Sequence, residues 1–388
     1  MQNITSILIA VLMFTCGLSQ TVIAQKTSRF IKGTLIDNVT KTGIGFASIG
    51  ITNTTLGTAA NEKGEFTLRI EDQYKSEQIK ISCIGYITQT VKIDSLLLVN
   101  KDSITIKLMP DVALLDEIVL QAAPIDPAEI IKLTLSSLDK NYMQSPFNIE
   151  LFSIINANDS VSGETFKVES IVNGYYEGYK PKGKKKFEIA HKRTTGNNPL
   201  KTINYGYWPS FEIHAADLLT TEYRKGIFNL DNLHKFKLKY AGVSIYENDT
   251  VYNIEYYAPK PTAKITGYGT VPKTYKGNIY ITTSTNAVVR HEIETESFKY
   301  HVIYNKLGDK YFPYYFSGLR VNDFKLSGGK RKFKTFNTLV VTKVDLQNVK
   351  VIDENANESD INKVPYDEKY WSEFYPAGEA VSTHESAK

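Results

Sequence analysis

From Phe30 to Leu108 apolar and polar residues alternate in short runs broken by turn residues, the two-residue period of half-buried strands. The runs cover 30–36, 46–52, 66–70, 79–83, 88–93 and 104–108, parted by Asp37-Asn38, Lys41-Thr42-Gly43 and Asn61-Glu62-Lys63-Gly64. Asn tolerates and Gly supplies positive φ in such turns. About seven strands at this spacing predict an antiparallel sandwich. At Pro124-Ile125-Asp126-Pro127 the period changes. Asp126 suits a helix N-cap and Pro127 the first helical position. Ile130, Ile131, Leu133, Thr134, Leu135 and Leu138 then form one apolar helical face ending near Asn141. A weaker helix is expected over 214–223. The rest alternates again, over 147–157, 165–176, 235–246, 250–257, 278–283, 287–295, 310–316 and 332–344. Glu247-Asn248-Asp249 and Ser284-Thr285-Asn286 give hairpin signals. Consecutive hairpins beside one long helix predict a curved antiparallel sheet with the helix on one face.

With 388 residues the chain has room for two domains, and 42% hydrophobic against 23% charged residues provides a packed core. A net charge of +4 does not support a nucleic-acid partner. The apolar run Ile4 to Leu18 is short for a membrane span. With Val22-Ile23-Ala24 it reads as a signal peptide over 1–24, cleaved to leave Gln25 first. Met1-Gln2-Asn3 brings no Lys or Arg, which keeps an uncleaved anchor as the alternative. Thr15 stands before Cys16 where lipidation favours a smaller residue. After cleavage Cys83 is the one remaining cysteine, so no internal disulfide forms. It alternates with Ile79 and Ile81 and is expected as a buried core thiol.

Lys32-Gly33-Thr34-Leu35-Ile36-Asp37, Gly45-Phe46-Ala47-Ser48-Ile49, Gly57-Thr58, Asn61-Glu62-Lys63-Gly64-Glu65-Phe66 and Ile81-Ser82-Cys83-Ile84-Gly85-Tyr86 follow in order. This set resembles the carboxypeptidase-regulatory-like domain, a non-catalytic transthyretin-like sandwich found in cell-envelope proteins of the Bacteroidetes. Leu115-Asp116-Glu117-Ile118-Val119-Leu120 resembles the segment that follows this domain in TonB-dependent receptors, but no large barrel's worth of amphipathic strands comes after it. Asn141-Tyr142, Pro146-Phe147 and Lys276-Gly277-Asn278-Ile279-Tyr280-Ile281 with Ala287-Val288-Val289-Arg290-His291-Glu292-Ile293 are similar to lipoprotein-carrier half-barrels, which have a greasy concave face. Tyr366 to Tyr375, with Trp371, resembles an aromatic C-terminal motif of small envelope proteins. The expected class is mainly β: a Greek-key transthyretin-like sandwich (28–110), a linker (111–126), an α+β curved-sheet domain with one main helix (127–350) and an acidic, aromatic-containing tail (351–388).

No catalytic constellation emerges. His291 and Glu294 form H-x-x-E, yet on a strand they point to opposite faces and do not share a metal. No G-x-S-x-G occurs, Gly328-Gly329-Lys330-Arg331 lacks P-loop spacing, and Asp353 to Val364 lacks the Gly and Glu of a calcium loop. No catalytic, cofactor or metal residue is therefore assigned. Lys182, Lys184, Lys185, Lys186, Lys192 and Arg193 make the strongest charge run, a candidate surface for anionic lipid or lipopolysaccharide phosphates; a solvated hairpin loop is the plainer reading. The sequence thus points to an exported, non-enzymatic binding module, periplasmic or outer-membrane associated. Its partner would be an apolar ligand, an envelope protein or an anionic surface, with no nucleic acid. A hydrolase with an unrecognised site and an accessory of TonB-dependent transport are the alternatives. Ile254, Tyr256, Ile279 and Ile281 should face the helix through Leu133 and Leu138, across a space either filled or open to an apolar ligand.

Overall fold

The computed structural model describes residues 28–54, 56–99, 102–111, 126–180, 183–196, 209–220, 225–268, 271–326, 329–353 and 364–374. The N-terminal part has seven strands: β1 (Ser28–Asp37), β2 (Ser48–Ile51), β3 (Gly57–Ala59), β4 (Glu65–Glu71), β5 (Gln78–Ser82), β6 (Gln89–Lys92) and β7 (Ile104–Leu108). They form two sheets, β4-β1-β7 and β3-β2-β5-β6. The alternation read from the sequence supplies their shared core, with Leu35, Ile49, Phe66, Ile79 and Ile81 all buried. Cys83 lies in that core and burial pushes its thiol pKa up. The sandwich is not wholly antiparallel: the closing strand β7 pairs parallel to β1, a crossover that alternation cannot reveal.

Ten further strands form one antiparallel sheet: β8 (Phe147–Asp159), β9 (Thr165–Tyr176), β10 (Lys185–Thr195), β11 (Lys237–Tyr246), β12 (Asp249–Tyr257), β13 (Lys276–Thr282), β14 (Val288–Glu294), β15 (Phe298–Leu307), β16 (Lys310–Leu326) and β17 (Gly329–Asp345). Their order is β10-β9-β8-β17-β16-β15-β14-β13-β12-β11. Register shifts fall at Ile189/His191, Tyr240/Gly242, Tyr280/Ile281, Ile303/Tyr304 and Val341/Lys343. Each adds a residue to one strand, and bulges of this kind bend and twist a sheet. Two strands, β10 and β15, were not anticipated: β10 opens on lysines that read as loop, and β15 mixes Lys, His and Asn with its apolar residues.

The main helix, Pro127–Ser136, begins as its caps dictate, with Asp126 Oδ1 accepting from the Ala128 N–H at 2.9 Å. It buries Ile130, Ile131, Thr134 and Leu135, and Leu138 is buried just beyond it. Leu133 corrects the expectation: it points outward and is half exposed. The weaker helix runs from Pro209 to Ala216, earlier than expected. Helices and loops cover the inner face of the sheet, and the space between is filled. Ile254, Ile279 and Ile281 have no accessible surface, and rings of Tyr142, Phe147, Tyr176, Tyr179 and Phe312 pack at centroid distances of 4.9–6.2 Å. Among the described residues no helix is long and apolar enough to cross a membrane.

The sandwich sits on the outer face of this sheet. The Tyr314 hydroxyl lies 2.8 Å from the carbonyl of Ile49 and 2.7 Å from that of Thr58, and its one proton is shared between these two acceptors. Gly57 makes that approach feasible: a Cβ there would stand 2.1 Å from the hydroxyl. Gly85 N–H donates to the carbonyl of Ile245 at 2.7 Å, and Asn305 Nδ2 to Ser48 Oγ at 2.8 Å. Phe46 takes φ +62° so that its ring stacks on His301 at 4.2 Å with the Arg290 guanidinium 5.1 Å above it. A bulky residue in that region costs about 1–3 kcal/mol and persists only where its surroundings fix it.

Candidate functional site

Strands buried on both faces read as continuous apolar runs. Leu151 to Ile155 in β8 is such a run broken once by Ser153, and its outward members are Phe152 and Ile154. On β17 the outward set is Thr338, Val340 and Thr342, and on β16 it includes Tyr315. These residues floor a cleft of about 660 Å³ between the sheet and the sandwich, whose wall is built from β3 and β4 with Leu56, Ala59 and Phe66. The rim is polar, with Asn61, Glu65, Arg69, Glu71, Glu150 and Lys343. Its groups are tied in place. Thr342 Oγ1 donates to Glu150 Oε1 at 2.8 Å and Asn61 Nδ2 to Glu65 Oε2 at 2.8 Å. An apolar floor with a few fixed polar groups at a domain interface is the usual form of a small-ligand site, and such sites measure about 300–1,000 Å³.

Next to the cleft the C-terminal segment lies across β8, β9 and β10. Its helix, Glu368–Phe374, buries Trp371 against Phe152, Ile154 and Ile171. The indole Nε1–H donates to the carbonyl of Lys192 at 2.8 Å, and the Arg193 guanidinium lies 4.8 Å from the ring centre. Arg193 also holds buried Glu169, with Nε at 2.9 Å and Nη2 at 2.8 Å from Oε2.

The lysine run does not form one patch. Lys182 lies outside the described residues. Lys184 is exposed, Lys186 half-buried, and Lys192 half-buried further along β10. Lys185 is the clear correction: it points into the core, its side chain 3% exposed, with Nζ 3.5 Å from Asp217 Oδ2. Burial lowers its pKa and the Asp217 carboxylate pulls it back up. Tyr304 donates to Asp217 Oδ1 at 2.7 Å. The bulge between Ile189 and His191 shifts the side-chain parity, so Lys185, Phe187 and Ile189 face inward while His191 and Arg193 emerge on the outer face. Alternation read through the run without that bulge assigns these positions to the wrong faces.

His291 and Glu294 do part as strand geometry requires. His291 is buried, with Nε2 2.9 Å from the Tyr256 hydroxyl, which itself donates to the carbonyl of Glu292 at 3.0 Å. That assigns the proton to Nε2 and leaves Nδ1 facing apolar surroundings without a partner. Burial holds its pKa down at about 3. Glu294 is on the other face between Lys276 and Lys299. Burial would raise Glu292, but hydrogen bonding from His301 and Asn278 and the Arg290 charge outweigh it and bring it to about 2. No group of metal-ligating side chains gathers among the described residues. The cleft is not legible in the sequence because its walls come from three separate segments, 53–74, 150–154 and 307–344; Phe152 and Ile154, outward-facing in β8, are the local signal.

A family profile described as a CarboxypepD_reg-like domain matches residues 31–120, so the N-terminal sandwich is a carboxypeptidase-regulatory-like domain. A search of curated proteins returns no match. Among solved structures, the chain is similar to a LolA superfamily protein from Nitrosomonas europaea (8% identity, 58% of this chain and 96% of that one, TM-score 0.25). A putative outer membrane lipoprotein-sorting protein domain from Vibrio parahaemolyticus gives 9% identity over 60% and 97%, with TM-score 0.29. A DUF1329 family protein from Desulfovibrio piger gives 13% over 59% and 96%, with TM-score 0.27. Likeness at this level says nothing of what this chain binds.

Proposed function

We propose that the chain is an exported, non-enzymatic binding module of the cell envelope, and that its ligand lies in the cleft between sandwich and sheet. The observation that carries this reading is the cleft of about 660 Å³ floored by Phe152, Ile154, Tyr315 and Val340. Its ligand has an apolar body for that floor and a polar end for the rim. The greasy space expected on the concave face is filled with the protein's own rings, which supports a site on the opposite face of the sheet. The Val22-Ile23-Ala24 leader supports export. The cleft's carboxylates are engaged as hydrogen-bond acceptors, which supports binding over hydrolysis.

The test is a fluorescent fatty-acid titration of the full chain, since the cleft needs both domains. Saturable micromolar binding is expected, weakened at least about tenfold by Val340→Arg, which fills the floor with a cation. No saturable binding to protein shown to be folded by circular dichroism would sink the reading.

A further inference from the structure

The residues around Trp371 form a site with its own logic, beside the cleft and sharing Phe152 and Ile154 with its floor. We infer that the outer face of β8–β10 is a recognition surface for an acidic, aromatic peptide, held in the free protein by the chain's own Asp367–Trp371 and open to a like segment of a partner protein that displaces it.

Four observations support this. First, the surface carries a preformed anchor socket. Trp371 is 1% exposed among Phe152, Ile154 and Ile171, and its N–H is matched to a main-chain carbonyl of the edge strand. Buried Trp, Tyr and Arg groups of this kind dominate the energetics of protein interfaces. Second, the cation over the indole is fixed by the receptor and not by the segment. Glu169 is 2% exposed and holds Arg193 through two nitrogens, with Lys167 Nζ 3.0 Å away. The guanidinium therefore keeps its place when the ring leaves. Third, the remaining contacts specify the peptide. His191 stacks on Tyr370 with ring centres 3.6 Å apart and places Nδ1 3.6 Å from Asp367 Oδ2. Tyr366 bridges Lys192 in parallel, so the segment enters along the edge of β10. Among the described residues that edge is the end of the ten-stranded sheet, the kind of place where an added segment pairs through its main chain. Fourth, the segment supplies no strand to either sheet. The apolar cluster around Trp371 is separate from the two main cores. Losing Asp367–Trp371 therefore leaves the buried residues of both cores in place, with Val364, which packs on the main core, lying before it.

The occupant is a peptide with an acidic residue three positions before a Tyr-Trp pair, as in Asp367 to Trp371. A lipid fits this surface poorly, because it offers nothing to the Lys192 carbonyl or to the stacked imidazole.

The experiment uses a fluorescein-labelled peptide of residues 364–375 and full-length protein, read by anisotropy. Trp371→Ala empties the socket and should bind the peptide at least about tenfold more tightly than the wild type, whose own segment competes. Adding Arg193→Ala to that receptor, or replacing the tryptophan in the peptide by alanine, should abolish binding. If Trp371→Ala fails to fold, Tyr370→Ala serves as the receptor with the same expectation. A folded receptor variant that binds no peptide, or that binds the alanine peptide equally well, overturns the inference. The fatty-acid titration of the wild type reads the cleft independently, so either proposal can fail alone.

Discussion

The two faces of the ten-stranded sheet solve burial differently. The inner face is a closed core in which rings interlock around the buried ion pair of Lys185 with Asp217. The outer face is covered in pieces, by a sandwich fixed through Phe46 and Tyr314 and by the C-terminal segment fixed through Trp371, with a cleft of about 660 Å³ between them. The inner face is continuous because consecutive hairpins and their helices fold onto one surface. The outer face is assembled from parts distant in sequence, and such assemblies leave gaps. The difference teaches that in this molecule a closed core and an open cleft lie on opposite sides of the same strands.

The comparison breaks most readily at the buried pair. Lys185→Ala should lower unfolding stability by about 3–5 kcal/mol in urea denaturation, because it strands the Asp217 charge in the core. A loss under 1 kcal/mol would mean that the inner face tolerates an open polar site. Ile279→Ala should cost about 2–4 kcal/mol by leaving a hole against fully packed neighbours. It should leave fatty-acid affinity unchanged, since Ile279 faces away from the cleft; a change in affinity with little loss of stability would return the ligand to the inner face.

The smallest effect is the acid dependence between pH 6 and 4.5, about 2 kcal/mol. His291 has a folded pKa of about 3 against 6.5 unfolded, so between those values the unfolded chain binds a proton that the native chain refuses. Stability therefore falls as pH drops through that window, by about 1.4 kcal/mol per pH unit per proton. Glu292, at about 2 against 4.5, adds a loss of the same sign as pH drops below 4.5. His291→Gln should flatten the profile between pH 6 and 4.5; an unchanged slope there would show that imidazole burial does not control it.

Much of the fold was legible from spacing alone. β7, β9 and the cap at Asp126 fall where alternation and capping chemistry put them. The failures are specific. Leu133 carried the right period on a helix whose flank happens to be uncovered. Lys185 looked like loop because lysine rarely enters a core, and only Asp217, 32 residues later, makes it tolerable there.

By itself the sequence determined most of the strand segments though not β10 or β15, where the main helix starts, that Cys83 is buried, and that His291 and Glu294 part company. All of these follow from the period of the backbone and from neighbours a few positions away. The tertiary structure alone decided which face of each strand meets what. A single bulge at Ile189/His191 reverses the faces of β10 beyond it, and no local pattern records where a register slips. It also decided that the sandwich docks on the outer face, that Phe46 holds a strained φ to do so, and that a cleft remains. Those outcomes depend on shape complementarity between segments far apart in the chain, which local composition does not encode.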